Sequence, residues 1–324
     1  MKTIAIAAGG DSSEFEISVK SAEEVSKILS SSYVVYIIVI RGTNWYWEDS
    51  KGRYHNIDKN DFSLTADDRR IKFDGVFIAI HGTPGENGLL QGYFDMMGMP
   101  YTSCDAFSSA LTFNKQACKL FLKEYGIIMA DALLIRKGDK IDLAELNNQI
   151  GMPCFVKPND SGSSFGVTKV KQTEGLLPAI ATAFKESNSV LVEKFVDGRE
   201  VACGVIKTKG KTILLPLIEI ISKNEFFDYE AKYSQGRSDE ISPADIPPAI
   251  TKKIQEISKY IYEILGCKGI VRVDFIIADE KPFFIEINTV PGMTKESLVP
   301  KEAAAAGISL EELYSMAVEN MFES

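Results

Sequence analysis

The 324-residue sequence lacks the features of a secreted or membrane-spanning protein. Its five cysteines are odd in number and scattered without a CxxC pair, and it has only two histidines, so a disulfide framework and a zinc site are both disfavoured. The longest apolar run, residues 33–40, is far shorter than the roughly 20 residues that cross a bilayer. The first residues also lack the separate apolar core and cleavage site of a signal peptide.

The charge balance argues against a nucleic-acid partner as well. Lysine and arginine number 36, aspartate and glutamate number 45, and the formal net charge is −9. Nucleic-acid binding needs a basic face, which this balance does not favour. We therefore expect a cytoplasmic protein with buried free thiols and with neither a membrane nor a nucleic-acid partner.

What the sequence contains is average for a globular protein, with 45% hydrophobic and 25% charged residues. In the first hundred residues, apolar runs at 3–7, 33–40 and 73–80 alternate with a helical pattern at 18–29. This order predicts a doubly wound α/β layer, in which the strand at 33–40 is buried on both faces. Residues 45–54 resemble a small hairpin insertion.

From residue 105 onward the predicted elements are shorter and indicate α+β units. Helices are predicted at 105–125, 143–149, 173–184, 251–265 and 309–321, and strands at 132–136, 153–157, 167–171, 190–193, 200–207, 211–220, 270–277 and 282–287. Length alone favours two domains, but the pattern favours three, at 1–104, 105–195 and 196–324. The polar stretch 222–248 is long enough to be a functional lid or a disordered linker.

A strand that ends in Lys157 leads into a loop of small residues, which includes Ser163 and Ser164, and then into a second strand. Small residues allow backbone N–H groups to approach phosphate oxygens, and the lysine adds a positive charge. The segment is not a Walker A loop, because it lacks that spacing and leads to a strand rather than a helix. The alternative is a flexible hairpin tip without a ligand.

Two neighbouring predicted strands carry polar residues with a spacing of two. Asp274 lies on one strand, and Glu286 and Asn288 share one face of the next. Oxygen donors of this kind suit Mg²⁺, which is usually held by one or two carboxylates together with substrate phosphates. The alternative, a solvated pair of strands, is less favoured because apolar residues surround the carboxylates on both strands.

Other parts of the sequence carry weaker signals of ligand binding. The strand end at 189–198 could offer an apolar slot with backbone hydrogen bonds for adenine, although an ordinary interdomain connection explains it equally well. Loops after the first and third strands, at 9–14 and 81–88, occupy positions where α/β sheets bind ligands. A lone loop histidine such as His81 is more often structural than catalytic. Neither loop has the GxGxxG pattern, so a nicotinamide cofactor is poorly supported.

Together these segments resemble the D-alanine–D-alanine ligases of the ATP-grasp superfamily. Each segment alone is weak, but they occur in the family's order and cover nearly the whole chain. The matching segments are 9–14, 16–18, 81–88, 91–92, Lys115, 157–166, 193–194, 198–200, 228–233, 272–274, 286–294 and 297–300.

The resemblance implies an ATP-grasp fold with an N-terminal doubly wound α/β domain, a small central α+β domain and a C-terminal α+β domain. It implies a ligase that joins two D-alanines at the expense of ATP, through a D-alanyl phosphate, for peptidoglycan synthesis. The expected cofactors are ATP and two Mg²⁺ or Mn²⁺ ions, and a homodimer is expected. Residues 222–248 correspond to the family's mobile ω-loop, which closes over the site and excludes water.

The resemblance also assigns roles to individual residues. For substrate binding and catalysis it implies Glu14, His81, Ser163, Lys232, Tyr233, Arg272, Gly292, Ser297 and Leu298. For ATP binding it implies Lys115, Lys157, Ser163, Ser164, Glu193, Lys194, Phe195, Val196 and Glu200, and for the metal Asp274, Glu286 and Asn288.

Within the substrate set, Glu14 is expected to accept the ammonium group of the first D-alanine, in a hydrogen-bonded group with Ser163 and Tyr233. Arg272 and the backbone N–H of Gly292 are expected to stabilise the oxyanion of the tetrahedral intermediate.

The carboxylate of the second D-alanine is expected to bind Ser297, the Leu298 backbone and Lys232. Three alternatives stay open: a D-alanine–D-lactate ligase, an ATP-dependent carboxylase of the same fold, and a nucleotide-binding protein of that fold without activity. The carboxylase lacks support in the amine-binding segment. The inactive protein would need a broken metal or phosphate site, which the sequence does not show.

Overall fold

The computed structural model describes residues 1–222 and 238–323, and over these residues the chain forms three β-sheets with helices packed against them. The predicted fold class, a mixture of α/β and α+β, is confirmed. Within the same residues, no helix combines the length and the apolar character that crossing a membrane requires.

The first sheet is built by the N-terminal third of the chain. Its elements, with the helices that accompany them, are β1 (Thr3–Gly9), α1 (Phe15–Leu29), β2 (Val34–Arg41), β3 (Asn44–Glu48), β4 (Tyr54–Asp58), β5 (Ser63–Ala66), β6 (Arg69–Ile71), β7 (Gly75–Ile78) and α2 (Leu89–Met97). The strand order is β6-β5-β4-β3-β2-β1-β7. Strand β1 pairs in parallel with β2 and β7, and the other pairs are antiparallel.

The predicted hairpin at 45–54 is therefore the first part of a four-stranded antiparallel extension, of which β5 and β6 were not predicted. Strand β2 is less buried than expected, since Ile38 and Ile40 are buried but Val34 at the strand's start is 40% exposed. The prediction of burial on both faces was wrong only for this end of the strand. From residue 35 onward apolar clusters cover both faces, with Val35 and Ile37 packed against one cluster and Tyr36 against the other, and Val34 lies exposed ahead of them. Helix α2 was also not predicted.

The second sheet is antiparallel and lies in the middle of the chain. Its elements and the helices around it are α3 (Ala106–Phe113), α4 (Lys115–Lys123), β8 (Ala132–Arg136), α5 (Leu143–Ile150), β9 (Cys154–Pro158), β10 (Thr168–Val170), a 3₁₀ turn (Thr173–Gly175), α6 (Leu176–Ala183) and β11 (Ser189–Lys194). The strand order is β10-β9-β11-β8, and β9 and β10 are antiparallel neighbours as predicted.

The single helix predicted at 105–125 is two helices, because the chain breaks at Asn114. This residue has an extended backbone, and its side chain accepts a hydrogen bond of 2.9 Å from the N–H of Ala117 at the start of α4. Asparagine is a favoured helix-capping residue, so one helix ends and the next begins at this position. The break brings Lys115 to the first turn of α4.

The third sheet is built by the C-terminal part. Its elements are β12 (Arg199–Thr208), β13 (Lys211–Leu214), β14 (Ile218–Ser222), β15 (Ser238–Ile241), α7 (Pro248–Ile264), β16 (Ile270–Ala278), β17 (Lys281–Asn288), α8 (Leu298–Ala305) and α9 (Leu310–Asn320). The strand order is β15-β14-β12-β16-β17, and β13 pairs with β12. Strand β15 lies inside the stretch predicted as a loop, and 223–237 fall outside the described residues.

The strand predicted at 211–220 is interrupted at Pro216, which lacks the N–H that a central strand needs. Helix α8 was not predicted.

One large apolar core joins the first and third sheets. In it, Ile4 and Ile6 of β1 pack together with residues of α1 and with Leu313 and Tyr314 of α9. The Tyr314 hydroxyl donates a hydrogen bond to the carbonyl of Met293. The loop that follows β17 is therefore fixed to the N-terminal sheet, and the space between the first and third sheets becomes the site described next.

Candidate active site

Two cavities in the described part of the chain meet at one point. The first, of about 470 Å³, lies between the N-terminal sheet and the end of β17, and we call it the amino-acid cavity. The second, of about 460 Å³, lies between the second and third sheets, and we call it the nucleotide cavity. Lys115, Arg272 and Glu286 line both cavities, so a ligand in one can touch a ligand in the other.

The residues predicted from the sequence lie around these cavities. Lining the amino-acid cavity are Glu14, His81, Lys115, Ser163, Arg272, Glu286, Asn288, Gly292, Ser297 and Leu298. Lining the nucleotide cavity are Lys115, Lys157, Ser164, Glu193, Lys194, Phe195, Val196, Glu200, Asp274 and Glu286. Lys232 and Tyr233 lie outside the described residues.

Glu14 stands just before α1 and is buried at the floor of the amino-acid cavity. The chain reaches it through Gly9 and Gly10, whose φ values of +96° and +99° are easily adopted only by glycine. The Ser163 hydroxyl donates a hydrogen bond to Oε1 of Glu14, across 149 positions of sequence. The loop after β9 is thus joined to the N-terminal sheet through this carboxylate, as the resemblance implied.

His81 is held on both sides of its ring. Its Nδ1 lies 2.9 Å from the carbonyl oxygen of Val290, and its Nε2 lies 3.3 Å from the hydroxyl of Ser21. A carbonyl only accepts, so the proton of a neutral ring must be on Nδ1. Burial lowers the pKa of His81 below its ordinary value of 6.5. The ring therefore fixes the loop after β17 and is neutral at physiological pH.

Glu86 is a buried acid beside Glu14 that the sequence analysis did not single out, although it lies within the matched segment 81–88. Its Oε2 accepts a hydrogen bond of 2.6 Å from the N–H of Gly82. Burial, and then the Glu14 carboxylate, raise the pKa of the Glu86 carboxyl to about 8. At neutral pH Glu86 thus mostly carries a proton, which limits the negative charge around Glu14.

The loop after β9 has the backbone that an anion site needs. Ser163 and Ser164 have φ values of +48° and +59°, a left-handed conformation that costs a non-glycine residue about 1–3 kcal/mol. Gly162 packs so closely on the Glu14 carboxylate that a Cβ there would collide with it. Lys115 donates a hydrogen bond of 2.6 Å to the carbonyl of Ser161 and fixes the start of the loop.

The junction of the two cavities carries four charged groups. Asp274 of β16 is paired in register with Glu286 of β17, and Arg272 with Asn288, so the predicted set shares one face of the hairpin. Nε and Nη2 of Arg272 each lie 2.7 Å from an oxygen of Asp274. Lys115 lies 3.3 Å from Glu286. Burial alone would lower the pKa of the Arg272 guanidinium, but the Asp274 carboxylate raises it.

The donor set fits a hard cation. Asp274, Glu286 and Asn288 present carboxylate and amide oxygens toward the junction, which are the ligands that Mg²⁺ prefers. In residues 1–222 and 238–323, no group of three or more His, Cys, Asp and Glu side chains could hold a metal ion, and the junction offers two carboxylates and one amide. A cation at the junction would compete with Arg272 and Lys115 for the two carboxylates.

An apolar slot lies at the far end of the nucleotide cavity. The rings of Phe155 and Phe195 have centroids 5.9 Å apart, and the ammonium group of Lys169 lies 3.8 Å from the centroid of Phe195. Phe283 and Phe284 line the same cavity. The slot has the flat apolar walls that the segment 189–198 was expected to provide. Lys169 was missed, because nothing in the sequence relates it to Phe195.

Glu193 was expected at the adenine edge, but its side chain is occupied otherwise. Oε1 lies 2.7 Å from Nζ of Lys157, and Oε2 accepts a hydrogen bond from Nζ of Lys119. Lys119 was not singled out from the sequence, although it lies one helical turn after Lys115. Of the Glu193 groups, only the backbone is left for an adenine.

The N-terminus of α8 forms another wall of the amino-acid cavity. Ser297 is the capping position, but its side chain does not cap the helix, and its hydroxyl lies 2.8 Å from that of Thr294. A Cβ at Gly292 would lie 2.7 Å from Oγ of Ser297, so a larger residue there would displace the Ser297 hydroxyl. Lys301 of α8 and Glu240 of β15 also line this cavity and lie 2.8 Å apart. No local pattern predicts this pair, because its two residues are 61 positions apart.

We expect His81 to stay neutral, with its proton on Nδ1, at pH values where a free imidazole is half protonated. Because the unfolded chain takes up this proton near pH 6.5 and the folded chain does not, stability is lost as the pH falls below that value. Nitrogen-15 NMR of the imidazoles checks this, with a His55→Asn variant to assign the two histidines. A His81 ring that protonates at or above pH 6.5 would contradict it.

Comparisons with known proteins agree with this geometry. The family models described as D-ala D-ala ligase N-terminus and C-terminus match residues 3–104 and 121–319. The D-alanine–D-alanine ligase of Flavobacterium johnsoniae is 50% identical over 320 residues, 98% of this chain and 99% of the relative. That of Phocaeicola vulgatus is 47% identical over 323 residues, 99% of each.

Solved structures give the same result. D-alanyl-alanine synthetase A from Vibrio cholerae superposes with a TM-score of 0.88 at 29% identity, over 99% of both chains. The VanG D-Ala:D-Ser ligase from Enterococcus faecalis superposes with a TM-score of 0.86 at 32% identity, also over 99% of both. These neighbours have the ATP-grasp fold that the sequence analysis predicted. The chain belongs to the D-alanine–D-alanine ligase family.

Proposed function

We propose that this protein joins two D-alanines to D-alanyl-D-alanine for peptidoglycan synthesis and converts ATP to ADP and phosphate. The observation that carries the proposal is the meeting of the two cavities at Lys115, Arg272 and Glu286. An amino acid in one cavity and a triphosphate in the other would meet at this junction, whose shared lining also includes Ser161, Gly162 and Leu298. The carboxylate of the first D-alanine would attack the γ-phosphate, and the amine of the second would displace phosphate from the resulting acyl phosphate.

Charge is the main physical obstacle to this reaction, because the attacking carboxylate and the triphosphate are both anions. Lys115 and Arg272 put two positive charges at the junction, which offset that repulsion. Phosphoryl transfer depends mainly on such positioning and electrostatic stabilisation. The rigid partners of both side chains, the Ser161 carbonyl and the Asp274 carboxylate, fix where these charges lie.

The amino-acid cavity offers a place for each D-alanine. Glu14, with Ser163 on its Oε1, is the acceptor for the first ammonium group. The second carboxylate is assigned to Ser297 and the first amide of α8, at Leu298, where the helix dipole favours an anion. Arg272 and the N–H of Gly292 are assigned to the oxyanion.

Lys232 would join the second carboxylate and Tyr233 the Glu14 group, as the resemblance implies. His81 contributes by holding the loop that carries Gly292, through the carbonyl of Val290.

The nucleotide cavity accommodates ATP with its phosphates toward the junction. Lys115, Lys157 and the loop at Ser163 and Ser164 are assigned to the phosphates. The apolar slot is assigned to the adenine. The hydrogen-bonding edge of the adenine is assigned to the backbone of residues 193–196, which include Lys194, Phe195 and Val196. The ribose hydroxyls are assigned to Glu200.

Two Mg²⁺ or Mn²⁺ ions complete the proposal. Asp274, Glu286 and Asn288 would hold them at the junction. There the ions would bind phosphate oxygens and neutralise part of the charge of the triphosphate. The register of β16 and β17 determines where the ions would bind, because it brings the three side chains to one face.

We extend the proposal to a homodimer that acts in the cytoplasm. Leu89 and Met96, two turns apart on α2, and Phe107 on the neighbouring α3 are 64%, 83% and 70% exposed. Such exposed apolar side chains are typical of a surface that a second copy covers. Five buried, unpaired cysteines suit a reducing compartment.

Light scattering should give twice the chain mass of 35.8 kDa, and Met96→Lys should halve it. A single-chain mass for the unmodified protein would refute the dimer.

Incubation with ATP, Mg²⁺ and D-alanine tests the activity. We expect phosphate release together with D-alanyl-D-alanine, measured by mass spectrometry. Equimolar D-lactate and D-serine, added as competitors, should leave the dipeptide as the main product at neutral pH. Phosphate release with D-lactate or D-serine but not with D-alanine would overturn the proposal.

Asp274→Asn and Glu286→Gln should each reduce dipeptide formation to the background rate at millimolar Mg²⁺. The melting temperature should stay nearly unchanged for Glu286→Gln and fall for Asp274→Asn, because the buried Arg272 loses its charged partner. Each change removes the negative charge of a side chain that is proposed to bind the metal. Asp279→Asn is the matched control, since this residue lies exposed in the turn of the same hairpin. Near-normal turnover of either variant at saturating Mg²⁺ would show that the metal ligands are wrongly assigned.

A further inference from the structure

A buried carboxylate lies between two lysines on the wall of the nucleotide cavity. Glu193 of β11 and Lys157 of β9 are diagonal neighbours on one face of the second sheet, with Oε1 and Nζ 2.7 Å apart. Lys119 reaches the other oxygen of Glu193 from α4 and also lies 3.2 Å from the carbonyl of Ala130. The three residues are 5–7% exposed, so all are withdrawn from water.

Only two members of this cluster face the nucleotide. Lys157 and Glu193 line the cavity, whereas Lys119 lies behind Glu193 and is not part of the lining. A phosphate that enters the cavity can therefore bind Lys157 but not Lys119. The arrangement separates a lysine that can exchange partners from one that cannot.

The charge of Glu193 makes this separation important. Burial alone would raise its pKa, but Lys157 and Lys119 lower it below the ordinary value, so Glu193 is ionised at neutral pH. A buried ion that loses its partner is strongly destabilising. If Lys157 moved to a phosphate and Lys119 were absent, Glu193 would be left as an unpaired carboxylate beside another anion.

Resting on the proposed function, we infer that Lys119 is a positioning residue for nucleotide binding, which neutralises Glu193 so that Lys157 is free to bind phosphate. Burial lowers the pKa of Lys119, and the Glu193 carboxylate beside it opposes that shift. With both lysines protonated, the cluster carries a net charge of +1, from two ammonium groups and one carboxylate. That single positive charge is what the triphosphate meets. Without Lys119 the cluster is neutral, and Lys157 stays bound to Glu193.

Binding of adenosine, ADP and ATP by calorimetry, without D-alanine, tests this inference. Lys119→Met should weaken ATP and ADP binding about tenfold or more, as expected for a lost partner of a buried charge, and should leave adenosine binding unchanged. Lys123→Met is the matched control, because Lys123 lies exposed one turn later on α4. It should bind all three ligands as the unmodified protein does.

The same change made in a Glu193→Gln variant distinguishes an electrostatic role of Lys119 from a structural one. In Glu193→Gln the buried charge is absent, so adding Lys119→Met should cause no further loss of ATP affinity, even where the single Lys119 variant fails to fold. Equal loss of adenosine and ATP, normal ATP binding by Lys119→Met, or a further loss in the Gln background would each overturn the inference. Absence of ATP binding by the unmodified protein would overturn the proposed function together with it.

Discussion

The pairing of β16 with β17 is the constraint on which the rest of the site depends. Its register places Asp274 opposite Glu286 and Arg272 opposite Asn288, on one face of a hairpin whose other face is packed into an apolar core. A shift of one residue would turn every one of these side chains into that core. Because buried charges tolerate no such exchange, the apolar pattern of the two strands also fixes the charged face.

The fixed face explains why the two cavities meet where they do. Both oxygens of Asp274 hold the Arg272 guanidinium in one position, so a ligand must enter the junction to reach it. The loops that bring them are fixed in turn: the loop after β9 by the Ser163–Glu14 hydrogen bond, and the loop after β17 by His81 on the Val290 carbonyl. Three sheets that are distant in sequence therefore contribute to one junction through a few buried polar contacts.

Period-two spacing was enough to predict that Asp274, Glu286 and Asn288 share a face, since strand geometry is local. The break of the helix at Asn114 was in principle readable, because a capping side chain is also a local signal, and it was overlooked. Contacts such as that between Lys119 and Glu193, 74 positions apart, were not predictable from spacing. They depend on how α4 docks on the second sheet, which no local pattern specifies.

Three cations that face the cavities are paired with carboxylates that face them too: Lys157 with Glu193, Lys115 with Glu286, and Arg272 with Asp274. Phosphate oxygens that take the two lysines leave two carboxylates in need of a counter-charge. For Glu193, away from the junction, Lys119 already supplies it. Glu286, at the junction, is the carboxylate assigned to a divalent cation in the proposed function. On the proposed function, one electrostatic requirement is met in two ways: by the fixed Lys119 at Glu193, and by an exchangeable divalent cation at Glu286, where the phosphoryl group would be transferred.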